Sequence, residues 1–435
     1  MNIINWSTLS PDAKRDVLRR PALASRAEVE QSVRAIVGRV RSEGDAALRD
    51  YTRQFDGVTV SSLELTAEEK ARAHSALSSA QRAALERAIA NVRAFHTAQL
   101  PAPLSLDTMP EVRCERIIRP IHSVGLYVPA GSAPLPSTVV MLAVPAATAG
   151  CPIRILCTPP GSDGRANAAV VAAAGLCGVE RIFKAGGAQA IAALAYGTET
   201  IPKVEKIFGP GNAWVTAAKQ LVAGDPDGAA ADLPAGPSEV LVIADEFARA
   251  EFVAADLLAQ AEHDPLSQTI LVTTSRELAA GTLLELETQR ALLRRQEILR
   301  NSSASVRVIL VPTLTVAFEV SNLYAPEHLI LQIREPRAAL EQVSSAGSIF
   351  LGEWSPESLG DYCSGTNHVL PTYGYARAYS GLSTLDFLKR ITVQEATAQG
   401  LARLGPVAAE LAMLEGLDGH AAAVNRRLAR LGSPV

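Results

Sequence analysis

Residues 181–196 read Arg181-Ile-Phe-Lys-Ala-Gly-Gly-Ala-Gln-Ala-Ile-Ala-Ala-Leu-Ala-Tyr196. A short apolar run enters a glycine turn, and the turn enters an alanine-rich helix. That is the repeating unit of a parallel sheet, because each strand must return over one face before its neighbour can pair beside it. Outward from this stretch the unit recurs. Strands are predicted at Val124–Val128, Ile153–Thr158, Arg181–Lys184, Glu205–Phe208, Val240–Ala244, Thr269–Thr273, Val306–Val311, Leu329–Gln332 and Ser348–Leu351. Helices are predicted between them, at Ser137–Gly150, Ala166–Gly175, Ala188–Tyr196, Asn212–Ala223, Ala248–Glu262, Glu277–Ile298 and Thr313–Leu323. The alternation predicts an α/β fold with two Rossmann-like parallel-sheet domains joined by right-handed crossovers. Gly125-Leu-Tyr-Val-Pro129 opens one set and Glu239-Val-Leu-Val-Ile243 opens the other. This echo fits a duplicated unit and fits equally the general rhythm of α/β chains.

The flanks differ. Val29, Val33, Ile36, Val37 and Val40 recur at helical spacing. Thr66 followed by Glu69 is a capping-box pattern that opens a second helix, expected to run to about Phe95. Residues 352–381 are rich in turn formers, which marks a functional loop. The tail from Thr392 to Leu431 reads as helix broken at Gly405-Pro406. These boundaries give an N-terminal extension over 1–25, a first α/β domain with a helical layer over 26–123 plus 239–380, a second α/β domain over 124–238, and a helical tail over 381–435.

Composition narrows the function. The chain has 435 residues, enough for several large cores. Its 41 basic residues nearly balance 45 acidic ones without like-charge blocks, so neither nucleic acid nor an anionic membrane is an expected partner. The N-terminus lacks the apolar core of a secretory signal. The longest apolar run, near Val139–Ala149, contains Pro145 and is far short of the ~20 residues of a membrane span. The five scattered cysteines form no C-x-x-C pair, which excludes a zinc ribbon and fits reduced thiols in a cytoplasmic protein.

Several residues could carry chemistry. Gln260 and His263, at i and i+3 near a helix end, project from one face and can offer an oxygen and a nitrogen to one ion. Asp361 on a turn and His420 at the start of the last helix are further candidates; such a mixed set suits Zn, Mn or Co. Spacing alone does not bring these four together. Glu327-His328 at a strand edge offers two proton-transfer groups. Two strand–glycine turn–helix junctions, Lys184-Ala-Gly-Gly-Ala-Gln189 and Phe208-Gly-Pro-Gly-Asn212, have the form that cradles phosphate, but neither completes the dinucleotide fingerprint. Ser238 lacks a nucleophile elbow, which argues against a serine hydrolase. His74 and His96 read as surface residues, and His122 is ambiguous.

Together these motifs resemble the histidinol dehydrogenase family. The resemblance rests on Gly125-Leu-Tyr-Val-Pro-Ala-Gly-Ser-Ala-Pro-Leu-Pro-Ser137, Ala185-Gly-Gly-Ala-Gln-Ala-Ile191, Phe208-Gly-Pro-Gly-Asn-Ala213, Ala235-Gly-Pro-Ser-Glu239, Leu257-Leu-Ala-Gln-Ala-Glu-His-Asp-Pro265, Ala325-Pro-Glu-His-Leu329, Gly360-Asp-Tyr362 and Gly365-Thr-Asn-His-Val-Leu-Pro-Thr372. It implies one Zn2+ per subunit on Gln260, His263, Asp361 and His420, and an acid/base pair of Glu327 and His328. It implies substrate contacts at Ser238, His368 and Glu415 as well as at the pair and the metal ligands, and NAD contacts at Tyr127, Gln189 and Asn212. It makes 124–238 the NAD side. The implied reaction is oxidation of L-histidinol through the aldehyde to L-histidine with two NAD. The implied assembly is a homodimer whose tail supplies Glu415 and His420 to the partner's site. The alternative is a paralogous dehydrogenase acting on another small polar alcohol, such as a sulfonated diol. Cys114 and Cys151 are rejected as nucleophiles because no partnering histidine accompanies them.

Overall fold

The computed structural model describes residues 2–21, 26–130, 133–234, 236–302 and 305–432. Residues 22–25 of the N-terminal extension, Gly131 and Ser132 in the first quoted block, and Ala235 in another lie outside it. The chain forms two compact units, one of residues 1–99 and 121–387, the other of residues 100–120 and 388–435.

The larger unit contains two parallel sheets. The first has the spatial order Arg181–Lys184, Ile153–Thr158, Ser123–Tyr127, Lys206–Phe208, Ala230–Ala231. The second runs Ile3–Asn5, Val306–Leu310, Gln268–Thr273, Glu239–Ala244, His328–Gln332, Ser348–Leu351. Numbered along the chain from Ser123 or from Glu239, each sheet has the order 3-2-1-4-5, as a duplicated unit would leave. In each sheet the order reverses between the first and fourth strands, the place where open α/β sheets form a crevice. Strand Glu239–Ala244 is buried at every position, because helices cover both faces of a parallel sheet. The N-terminal extension contributes an unexpected edge strand, Ile3–Asn5, and buries Trp6 against the second sheet.

The helical layer differs from its predicted grouping. Helix Arg26–Glu43 buries Val29, Val33, Ile36, Val37 and Val40 in a core shared with Ile191, Leu194 and Ile207 of the first sheet's half. Each such side chain contributes about 1.5–3 kcal/mol when fully buried. Residues 26–98 therefore belong with 123–231, not with 239–380. Thr66 and Glu69 form the expected capping box, but the helix stops at Ala76. A second capping box, Ser78 with Gln81, starts helix Ser79–Ala98. His96 on that helix is fully buried, contrary to the surface reading. Its Nδ1 lies 2.9 Å from the Val92 carbonyl and its Nε2 3.3 Å from Asn367, a partner remote in sequence. The long helix predicted over 277–298 is two, Arg276–Arg290 and Gln296–Ser302, because the Gln296 amide donates to the Arg290 and Leu293 carbonyls and ends the first.

The smaller unit is a three-stranded antiparallel sheet, Leu388–Ala396 against Val112–Pro120 against Leu104–Met109, with helices Ala398–Leu414 and Asp418–Leu431. The tail helix is not broken at Gly405-Pro406. Gly405 is buried where the Leu428 and Val424 side chains approach within 3.0 and 3.1 Å of the space a Cβ would fill, so the two helices cross closely there. The break falls at Glu415–Leu417 instead. Among the described residues no helix is long and apolar enough to cross a membrane.

Candidate active site

The amino edge of the second sheet gathers most of the predicted site. Glu327 and His328 enter strand His328–Gln332 from a turn in which Ala325 is held at a φ of 54°. Both are buried. The neighbouring strand fixes them through one residue: the Glu239 N–H donates to Glu327 Oε2 at 2.8 Å, and His328 Nδ1 lies 3.1 Å from the Glu239 carbonyl oxygen. A carbonyl only accepts, so Nδ1 carries a proton and Nε2 is the nitrogen that can exchange one. His328 Nε2 faces Asp361 Oδ1 at 3.4 Å. Helix Ala250–Ala261 brings Gln260, whose Oε1 is 3.1 Å from His328 Nδ1 and whose Nε2 is 3.5 Å from His263 Nδ1.

The turn-rich segment supplies the remaining wall. Its short helix Glu357–Tyr362 carries Asp361 and also Glu357, which is fully buried with Oε2 4.0 Å from His328 Nδ1. His368 Nδ1 donates to the Asp361 carbonyl at 2.8 Å, and its Nε2 lies 3.2 Å from Thr138 Oγ1. Thr138 stands in the first turn of helix Pro136–Ala149, at the carboxyl edge of the first sheet. That contact joins the two sheets' functional edges.

Charge is concentrated here. Burial pushes Glu327 up to about 8, against the pull of His328 and the Glu239 N–H. Burial opposes the His328 imidazolium, but Glu327, Asp361 and Glu357 outweigh it and carry the ring up to about 10. Burial also raises Glu357 well above the carboxylate range. For Asp361, burial is outweighed by His328, His368 and His263, which lower it to about 2. Burial lowers His263 and His368, favouring neutral rings. Carboxylates crowded around one imidazole hold its proton tightly; a positive charge entering the cluster would release it.

The predicted metal ligands divide between the units. Gln260, His263 and Asp361 belong to this cluster, while His420 opens helix Asp418–Leu431 in the smaller unit and is exposed, as is Glu415. Among the described residues no three His, Cys, Asp or Glu side chains are arranged to hold a metal. The expected set places only two residues of those types, His263 and Asp361, in this unit. Their chemistry suits zinc: an amide oxygen, a ring kept neutral by burial and a carboxylate kept ionised by its neighbours.

The predicted NAD residues lie at the carboxyl edge of the first sheet. Tyr127 ends its central strand, buried, with its hydroxyl accepting from the Gly187 N–H at 3.0 Å. Gln189 is buried in the first turn of helix Gly187–Tyr196. Asn212 caps helix Ala213–Ala223 by accepting from the Trp214 and Val215 N–H groups, both at 3.1 Å. Gly209 has a φ of 129°, and a Cβ there would stand 2.1 Å from the Tyr127 carbonyl oxygen, so only glycine permits this turn. The N-termini of helices Gly187–Tyr196 and Ala213–Ala223 open at this edge, the place and polarity at which a parallel sheet receives a dinucleotide's phosphates, with the Gly187, Trp214 and Val215 N–H groups bonded to the Tyr127 hydroxyl and the Asn212 side chain. Ser238, half-buried, precedes Glu239. Cys151 is buried and its thiol is pushed up to about 11 by burial, which fits its rejection as a nucleophile.

The sequence pattern that defines histidinol dehydrogenase matches residues 18–428. The chain belongs to the histidinol dehydrogenase family. It is 53% identical over 428 residues to the histidinol dehydrogenase of Xanthomonas campestris pv. campestris (strain 8004), covering 98% of this chain and 99% of that one. It is 52% identical over 431 residues to that of Vibrio cholerae serotype O1, covering 99% of each. The crystal structure of histidinol dehydrogenase from Elizabethkingia anophelis superposes with a TM-score of 0.95 at 43% identity over 99% of both chains. Within this family's fold, Arg20, Thr138, Glu239 and Glu357 are the site neighbours that sequence reasoning missed. Only Glu357 left a usable signal, lying one helical turn before Asp361.

Proposed function

We propose that the chain oxidises L-histidinol to L-histidine with NAD, in two steps through the aldehyde. The observation that carries this reading is the burial of Glu327 and His328 together, tied to the backbone of one residue, in a chain matched to this family almost end to end. The relatives give no support to the alternative of another polar alcohol, since those described above are histidinol dehydrogenases.

Gln260, His263 and Asp361, with His420 of a second copy, would hold zinc, and Tyr127, Gln189 and Asn212 would hold NAD. When bound, zinc orients the substrate's nitrogens and NAD accepts the hydride. His328 takes the alcohol proton on Nε2 as the carbinol hydrogen departs with its electron pair, which leaves an aldehyde. Glu327 then accepts a proton from water as the oxygen adds to that aldehyde, and the proton held on His328 Nε2 passes to the former carbonyl oxygen, giving the hydrate and restoring His328 as a base. His328 takes a hydroxyl proton of the hydrate in the second oxidation, and the carboxylic acid results. Buried carboxylates around the pair suit a cationic substrate, whose charge returns His328 toward its ordinary range. His368 and Ser238, with Glu415 from the second copy, would complete the contacts to substrate.

A shared site across a homodimer is supported by the tail. Leu404, Val407, Leu411 and Leu414 form one exposed apolar face of helix Ala398–Leu414, at spacings that repeat on the helix. Glu415 and His420 lie just beyond its end. The test is NADH release from L-histidinol at alkaline pH. Two NADH per substrate are expected; no turnover, with turnover of another polar alcohol, overturns the reading.

A further inference from the structure

Glu239 is fully buried, and its carboxylate is gripped by one residue from the N-terminal extension, Arg20. The guanidinium bonds both carboxylate oxygens, Nε to Oε1 and Nη2 to Oε2, the latter at 2.8 Å. The same Nη2 donates to the Tyr324 carbonyl at 2.9 Å and approaches that of Ala325 at 3.5 Å. The guanidinium carbon lies 3.9 Å from the centroid of the Tyr324 ring. The Tyr373 N–H adds a further bond to Glu239 Oε1 at 3.2 Å. Tyr324 and Ala325 lead directly into Pro326-Glu327-His328. One planar cation therefore ties the side chain of Glu239 to the turn that delivers the acid/base pair, while the backbone N–H and carbonyl of Glu239 hold one member of that pair each.

We propose that Arg20 and Glu239 are positioning residues for the reaction: the guanidinium fixes Glu239 against the Tyr324–Ala325 turn, so that the Glu239 N–H aims Glu327 and its carbonyl aims His328. The proposal rests on the reading of Glu327 and His328 as proton carriers. Neither Arg20 nor Glu239 is among the residues expected to contact substrate. Lysine is a poor replacement, because a single ammonium cannot present the flat fork that spans two carboxylate oxygens and a carbonyl while stacking on a ring.

The test uses the full chain as wild type, Arg20→Lys, Arg20→Ala, the double variant Arg20→Leu/Glu239→Gln, and His328→Ala. Folding is followed by near-UV circular dichroism, and kcat is measured with the KM for NAD. Arg20→Lys is expected to fold and to lose about 10- to 100-fold in kcat, the usual cost of an outer-shell partner. Its KM for NAD should stay within about twofold, because the NAD residues lie on the other sheet. Millimolar guanidinium should restore part of the kcat of Arg20→Ala. If Arg20→Ala fails to fold, the double variant, which leaves no buried charge unpaired, must show the same selective loss of kcat. Wild-type kcat in folded Arg20→Lys or in the double variant overturns the proposal. So does a KM for NAD that rises in step with the loss of kcat, since that marks a general loosening. Activity in His328→Ala removes the proton-carrier reading and this proposal with it; an inactive His328→Ala beside a fully active Arg20→Lys removes this proposal alone.

Discussion

His328 Nδ1 lies 3.1 Å from the carbonyl oxygen of Glu239, and the Glu239 N–H donates to Glu327 at 2.8 Å. The backbone of one residue thus selects the tautomer of His328 and the direction of Glu327. Replacing His328 by alanine is expected to lower kcat for both oxidations by about 100- to 10,000-fold. Glu327→Gln should impair oxidation of the aldehyde more than that of the alcohol, because the hydration step needs its carboxylate. Supplying the alcohol and the aldehyde separately and following NADH separates the two. Equal, small effects from both changes would remove the assignment.

The Gln260, His263 and Asp361 cluster yields a prediction about metal. Full-length protein should contain one zinc per subunit by elemental analysis, and a strong chelator should abolish NADH formation reversibly. His263→Asn should lower zinc affinity by about 10-fold or more while leaving the melting profile of the sheets intact. Full activity in metal-free protein would refute this reading.

A shared site predicts complementation. A Glu327→Gln chain and a His420→Asn chain, each inactive alone, are mixed, unfolded and refolded together. Random pairing makes about half of the dimers mixed, and each mixed dimer holds one intact site, so about a quarter of wild-type activity should return. No recovery despite mixed dimers on native mass spectrometry would place both residues in the site of one chain.

Lys219 supports the glycine turn at the NAD edge. Its ammonium pairs with buried Asp232 and donates to the Gly209 carbonyl at 2.9 Å, while Asp232 Oδ2 accepts from the Gly209 N–H at 2.8 Å. Lys219→Met leaves that carboxylate buried and unpaired, so a destabilisation of about 3–5 kcal/mol is expected by denaturant titration. The surviving folded protein should show a raised KM for NAD. An unchanged midpoint and KM would show that the pair bears no weight in the turn.

Asp256 gives a prediction about pH. It is buried, accepts from Gln332 Nε2 at 2.7 Å, and is pushed up by burial to about 7. Between about pH 4 and pH 7 the folded chain keeps a proton that the unfolded chain has released, so this group's contribution to stability falls as pH rises. Asp256→Asn keeps the acceptor and removes the charge. Its melting temperature should exceed wild type at about pH 8 by a few degrees and converge with it near pH 4. A constant difference across that range would exclude the mechanism.

The parallel sheets were legible because each strand is a dense apolar run ending in a turn and a helix, a pattern written within about thirty residues. Gln260-Ala-Glu-His263 and Glu327-His328 were legible for the same reason, since local spacing determines which side chains share a face or an edge. What escaped was non-local. Arg20 and Glu239 are 219 positions apart, and nothing in either neighbourhood names the other. His96 read as exposed because its helix pattern carries no mark of Asn367, 271 positions away. The antiparallel strands of residues 104–120 and 388–396 are half exposed and lack the apolar density that reveals a central strand. Pro406 was read as a stop, but Gly405 beside it lets two helices approach, and that contact keeps the helix running.

The apolar row Leu404, Val407, Leu411 and Leu414 carries a kinetic consequence. If chemistry needs side chains from two copies, a solitary copy does nothing, and specific activity should collapse on dilution below the dimer's dissociation constant. In a cell that makes little of the protein, output would then climb with nearly the square of expression rather than in proportion to it.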